Sequence, residues 1–133
     1  MTQEQKELLL KDLCARLPYG VKCDVYDRIG VLDEISSYGA AVSYNNGEDT
    51  TCRIEYVKPC LYPLSSMTEE QKKEYNLWKH EVPTYHYEYG DIVEDVELFD
   101  SPESFEYLIK NHFDYRGLIE KGLAIDATGL NIY

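Results

Sequence analysis

An α+β fold is predicted by three changes of pattern along the chain. Apolar residues recur at helical spacing near the start, alternate at period two from Val21 onward, and return to helical spacing after Ser101-Pro102. Helix, then a run of strands, then helices is the order of segregated layers, not of repeating βαβ units.

The elements follow from local signals. Thr2 with Gln5 forms a capping box, and Leu10, Leu13, Cys14 and Leu17 then fall on one face until Pro18, which predicts a helix over residues 3 to 17. Val21, Cys23 and Val25 alternate with Lys22, Asp24 and Tyr26, while Gly30, Gly39 and Asn46-Gly47 punctuate the short apolar runs that follow. This predicts a curled antiparallel β-meander of about four strands, approaching a small barrel. Residues 45 to 51 read as a polar hairpin connection, and the alternation of residues 53 to 57 resumes a strand. Pro59 and Pro63 argue against a central strand over 58 to 66 and favour an extended surface connector. Thr68, with Gln71 three residues later, starts a second helix through Tyr75 and Trp78 to Lys79. A third begins at Ser101 as N-cap, with Pro102 at the first helical position and Phe105, Leu108, Ile109 and His112 on one side. Asp114 caps a further short helix through Lys121, stopped by Gly122.

At 133 residues, 44% apolar and 13% aromatic, the chain fits one domain with a single packed core. Its formal net charge of -12 and pI near 4.6 argue against direct contact with nucleic acid or an anionic membrane, both of which need a basic footprint. No apolar run approaches the roughly 20 residues of a membrane span, so the cytoplasm is the expected compartment. Cys14, Cys23, Cys52 and Cys60 show neither a CxxC pair nor zinc-finger spacing. Cys14 and Cys23 read as small buried hydrophobes. Cys52 and Cys60 flank a strand and a Pro-rich loop and have the spacing to meet, although a reducing compartment argues against a bridge. Phosphate-binding glycine loops, HExxH, GxSxG and EF-hand loops are absent from the sequence, and no metal or cofactor is expected.

The most distinctive stretch is acidic and aromatic. Nine Asp and Glu lie between Glu81 and Ile109 with no Lys or Arg among them, and residues 84 to 106 hold eight of the nine. Tyr85, Tyr87 and Tyr89 alternate with Thr84, His86 and Glu88 ahead of Gly90-Asp91, and a strand-like pattern resumes from Ile92 to Leu98. A type II′ turn at Gly90-Asp91 would set residue 89 opposite 92, 87 opposite 94 and 85 opposite 96. The tyrosines then share a face with Ile92, Glu94 and Val96, and the other face sets His86 against Asp95 and Thr84 against Glu97. Alternate carboxylates on a strand stand about 6.6 to 6.8 Å apart, a spacing suited to a row of Lys or Arg on a partner.

Tyr85, Tyr87, Tyr89, Asp91, Glu94, Asp95 and Glu97 are thus the candidate binding residues. Either the tyrosine face packs on the body of the protein and the acidic face is solvated, or the hairpin is a recognition surface. Exposed strands also allow pairing with a second copy, which makes a homodimer a third option. The carboxylates alternate over two faces and lack the loop geometry of a calcium or magnesium site.

His112, Asp114 and Arg116 form an alternative site, since the run Asn-His-Phe-Asp-Tyr-Arg-Gly holds the residue types of acid and base chemistry. Each also has a structural explanation: capping for Asp114, pairing with Asp114 or Glu120 for Arg116, and a helix C-terminus for His112. His80 and His86 are separated by five residues across Pro83, with no helix to bring them to one face.

Three segments carry a resemblance: Lys11-Asp12-Leu13-Cys14-Ala15-Arg16-Leu17-Pro18-Tyr19-Gly20-Val21-Lys22; Val57-Lys58-Pro59 with Pro63-Leu64-Ser65-Ser66-Met67-Thr68-Glu69-Glu70; and Asn111-His112-Phe113-Asp114-Tyr115-Arg116-Gly117-Leu118-Ile119-Glu120-Lys121-Gly122-Leu123-Ala124. They resemble small uncharacterised proteins of gut Bacteroides genomes, their phages and mobile elements. The resemblance implies a bacterial or phage setting inside the cell and assigns no residue to a site. Residues 79 to 98 share no motif with that group. The expectation is a non-enzymatic protein that engages a basic or nucleic-acid-binding protein, in one version as a decoy for the phosphate backbone. The alternatives are a homo-oligomer built through the tyrosine strand, or a small-ligand protein or enzyme using the His112 to Arg116 run.

Overall fold

The structure, a computed structural model, describes residues 1–133 and is α+β. Two compact units make up the chain. The first comprises Met1–Ser66 with Ile109–Tyr133, the second Met67–Leu108.

The first unit opens with α1 (Gln3–Arg16), whose Thr2 hydroxyl accepts the Gln5 N–H at 3.1 Å while the Gln5 side chain accepts the Thr2 N–H at 3.0 Å. That reciprocal cap occupies two of the four N–H groups a helix start leaves open. The helix passes into a single 3₁₀ turn at Leu17–Tyr19, which ends at Gly20 in the left-handed region. The predicted meander follows as β1 (Lys22–Val25), β2 (Arg28–Ser36), β3 (Gly39–Ser43) and β4 (Asp49–Cys52), each antiparallel to the one before. Gly39 cannot be replaced without strain. Its φ is +136°, and a Cβ there would lie 1.9 Å from the Cys52 carbonyl oxygen.

Several expectations fail in this unit. The strand expected over 53 to 57 lies earlier: β4 takes up Asp49 to Thr51 of the expected hairpin connection, and residues 54–56 form a 3₁₀ turn. The segment from Lys58 is no surface connector: β5 (Lys58–Pro63) lies inside the sheet, with Pro59, Cys60 and Leu61 buried. It runs antiparallel to β1 and parallel to two short strands, β8 (Phe113–Asp114) and β9 (Ile125–Asp126). The prolines stand near its two ends, so the residues between them still make the ladder bonds: the Tyr62 N–H donates to the His112 carbonyl and the Ala127 N–H to the Leu61 carbonyl, both at 2.8 Å. The sheet consequently does not close. Its order is β4-β3-β2-β1-β5-β8, with β9 also on β5: seven mixed strands, mostly antiparallel, open at both sides and not curled into a barrel. Residues 114 to 121 are turns, not a helix. Asp114 does cap, as both carboxylate oxygens accept backbone N–H groups, of Leu118 and Ile119, at 2.9 Å, but Gly117 at φ +72° breaks the helical path.

The core lies where α1 meets the sheet. Leu9 and Leu13 pack with Val21, Cys23, Val25, Leu32, Val42, Val57 and Leu61, and the C-terminal turns add Leu118 and Leu123. Leu9, Asp12, Leu13 and Arg16 are the buried face of α1, so the helix is rotated from the predicted stripe and Leu10 and Cys14 are exposed. The cause is a polar cluster at the centre. Asp12 and Arg16 are fully buried and joined at 2.8 Å, the second Asp12 oxygen accepts Arg116 Nε at 3.2 Å, and Arg16 Nη2 donates to the Phe113 carbonyl at 2.6 Å. All four cysteines are free thiols, Cys23 buried as predicted, and burial pushes the Cys60 thiol up to about 11.

Removing one member of a buried ion pair strands the other charge, so Asp12→Asn or Arg16→Met is expected to cost about 3–5 kcal/mol in urea unfolding. Leu10→Ala and Cys14→Ser, on the side the sequence assigns to the core, should each cost no more than about 0.5 kcal/mol. The opposite ranking would place the wrong face of α1 against the sheet.

Candidate functional site

The second unit holds α2 (Glu69–Leu77), β6 (His80–Glu88), β7 (Asp91–Phe99) and α3 (Pro102–Lys110). Both helix starts are as predicted: Thr68 and Gln71 form a capping box, and the Ser101 hydroxyl accepts the Ser104 N–H at 3.0 Å with Pro102 first in the helix.

Between them β6 and β7 form a two-stranded sheet of their own. Its turn is Tyr89-Gly90, with φ of 50° and 86°, not Gly90-Asp91. Two successive positive φ angles are the mark of a type I′ turn, which suits the right-handed twist of a hairpin. The pairs are therefore Glu88 with Asp91, Tyr87 with Ile92, His86 with Val93, Tyr85 with Glu94, Thr84 with Asp95 and Pro83 with Val96. This register differs from the predicted one by two residues, so each side chain keeps its face while its partner changes. His86 faces Val93, not Asp95, and its Nε2 lies 3.7 Å from Glu88 on its own strand. Thr84 faces Asp95, not Glu97.

One face carries Glu81, Pro83, Tyr85 and Tyr87 with Ile92, Glu94, Val96 and Leu98, and all eight are exposed. Tyr85 is 66% exposed, Tyr87 80%, Ile92 65% and Val96 54%, with Tyr89 at 98% in the turn. The three tyrosine rings are largely exposed. The other face carries Glu88, Asp91, Asp95 and Glu97, and its Val82, Thr84 and Val93 are half-buried. Of the predicted binding residues, Tyr85, Tyr87 and Glu94 thus share the aromatic face, Asp91, Asp95 and Glu97 the acidic one, and Tyr89 forms the tip.

A polar clasp closes the base of the hairpin. The Tyr75 hydroxyl donates to the Asp100 carboxylate, Ser104 Oγ to the same carboxylate at 3.1 Å, the Ser101 hydroxyl to the Trp78 carbonyl, and the Tyr107 hydroxyl to Glu74 at 3.0 Å. Burial, and then the bond to Glu74, push the Tyr107 phenol up to about 12. No sequence pattern marks this clasp, because its members are spread over residues 74 to 107.

The alternative site is taken up by structure. His112 stacks on Tyr133, with ring centroids 3.7 Å apart and planes 13° apart. Asp114 holds two backbone N–H groups, as described, and Arg116 pairs with Asp12 instead of the expected Asp114 or Glu120. Each of the three has its own structural partner. No three His, Cys, Asp or Glu side chains converge as a metal-binding group, and no helix is long and apolar enough to cross a membrane. Comparison finds no matching family model, no similar curated protein and no similar solved structure.

Burial first, then the nearby Arg16 and Lys22 charges, lower His112 to about 4. The unfolded chain binds this proton near pH 6.5 and the folded chain only near 4, so the stabilisation is complete above 6.5 and is lost as pH falls through that window. Urea midpoints measured at pH 7 and pH 5 should fall further for wild type than for His112→Gln. Equal losses would show that the imidazole is not held neutral.

Proposed function

We propose that this is a non-enzymatic binding protein whose β6–β7 hairpin engages a basic protein surface. The observation that carries the reading is the fully exposed face of Tyr85, Tyr87, Ile92, Val96 and Leu98, rimmed by carboxylates in a stretch without Lys or Arg. Aromatic side chains bring contact area at low entropic cost, and a field of one sign steers and selects a partner of the other. A folded hairpin leaves that apolar area in water only at a cost, which a partner would remove. The narrower form is a decoy for the phosphate backbone, suited to the phage or mobile-element setting that the resemblance implies.

A second reading, self-association through the same face, is favoured by its exposed apolar side chains. Light scattering separates the two, because the first requires a monomer that binds a basic protein and the second a dimer without one.

Affinity capture from bacterial lysate with wild type and with Glu94→Lys/Asp95→Lys/Glu97→Lys, both folded by circular dichroism, tests the proposal. A Lys- and Arg-rich protein should be retained by wild type alone and released as salt rises toward about 0.5 M, where the screening length falls to a few Å. Identical retention by both proteins would return the carboxylates to the role of solvated surface.

A further inference from the structure

The hairpin pairing also shows how a partner would be bound. In a two-residue hairpin the flanking pair, Glu88 with Asp91, exchanges both ladder hydrogen bonds, and bonded and non-bonded pairs then alternate. Glu81, Pro83, Tyr85 and Tyr87 on β6, and Ile92, Glu94, Val96 and Leu98 on β7, are the non-bonded positions, so their backbone groups point away from the hairpin. No third strand lies along either edge.

The two edges are unequal. On β6 the outward N–H is missing at Pro83, which blunts that edge to pairing. The β7 edge keeps all four outward N–H groups, and one of them, that of Val96, donates to the Asp95 carboxylate at 2.8 Å. Asp95 thus guards this edge, and a cation brought alongside would draw its carboxylate away. A two-stranded ribbon is marginal by itself, and a third strand is what gives such a sheet independent stability.

Resting on the reading of the hairpin as a surface for a basic protein, we infer that the partner adds an extended segment as a third strand on the β7 edge, with Lys or Arg alternating with apolar residues. β7 dictates that pattern. Ile92, Val96 and Leu98 lie on one face, interrupted by Glu94, and Asp91, Asp95 and Glu97 lie on the other with Val93 among them, so a neighbouring strand meets mainly apolar side chains on one side and mainly carboxylates on the opposite side. A second copy of this chain is the wrong occupant, because its β7 would set carboxylate beside carboxylate in a molecule of charge -12.

Fluorescence titration with two nine-residue peptides of equal composition provides the test: one alternates Lys and Val, the other holds five Lys followed by four Val. Wild type should bind the alternating peptide about tenfold more tightly, the worth of one or two backbone hydrogen bonds. Ile92→Pro removes an outward N–H while sparing the hairpin ladder, as Pro83 does on β6, and should abolish the preference. Amide exchange on the unmutated protein adds a second readout, in which the alternating peptide protects Ile92, Glu94 and Leu98. Equal binding of both peptides, unaffected by Ile92→Pro and lost in Asp91→Asn/Asp95→Asn/Glu97→Gln, would overturn strand addition and leave the basic-surface reading standing. Binding that survives the neutralised variant would overturn both, and unchanged exchange at the three amides would overturn strand addition alone.

Discussion

The Asp12 carboxylate, shared between Arg16 and Arg116, is the constraint around which the first unit is arranged. Each oxygen meets a different guanidinium, one from the same helix and one from a turn 104 residues further along the chain. A buried carboxylate is tolerated only where such partners satisfy it, so the helix and the C-terminal turns must settle together. The Arg16 bond to the Phe113 carbonyl then fixes the start of β8, and His112 beside it presents its own carbonyl to β5. One ion cluster therefore sets the rotation of α1 and the outer edge of the sheet.

The cluster is not fully satisfied. Arg16 Nη1 and His112 Nδ1 are buried without a protein partner, a donor and an acceptor in the same neighbourhood. The nearby Arg16 and Lys22 charges reinforce desolvation in keeping His112 neutral. The second unit has the inverse organisation. Met67, Ser104 and Leu108 are its only buried residues, and its polar bonds gather at the base of the hairpin. Stability in the first unit comes from enclosed apolar and ionic contacts, whereas the second keeps apolar area at the surface.

What could be read in advance follows from range. Both capping boxes and the Ser101-Pro102 start are local, decided by residues three apart, and all three form as the sequence implies. The four-strand meander is nearly as local. The rotation of α1 was illegible because hydrophobicity assigns Asp12 and Arg16 to the surface, and only Arg116, far along the chain, makes their burial affordable. Pro59 and Pro63 misled for a related reason: a proline removes one donor from one side of a strand, and whether that donor was needed depends on neighbours the sequence does not name. At the candidate site the alternation of Tyr85 and Tyr87 was enough to assign faces. The turn was not, since Tyr89 occupies a left-handed position that its residue type does not advertise.

The carboxylates of the hairpin have a consequence that neither face has alone. An exposed apolar sheet face with open edges is the usual template for edge-to-edge aggregation, and natural proteins protect such edges with charge, proline or bulges. Here Pro83 blunts one edge, the Asp95 carboxylate covers an N–H of the other, and the surrounding acidic side chains repel a second copy. These guards differ in kind. Proline is permanent, whereas repulsion and the Asp95 bond yield to positive charge. Under the proposed reading, the features that guard the hairpin edges against a second copy would be the ones a basic segment relieves, so protection from aggregation and choice of partner would rest on the same side chains.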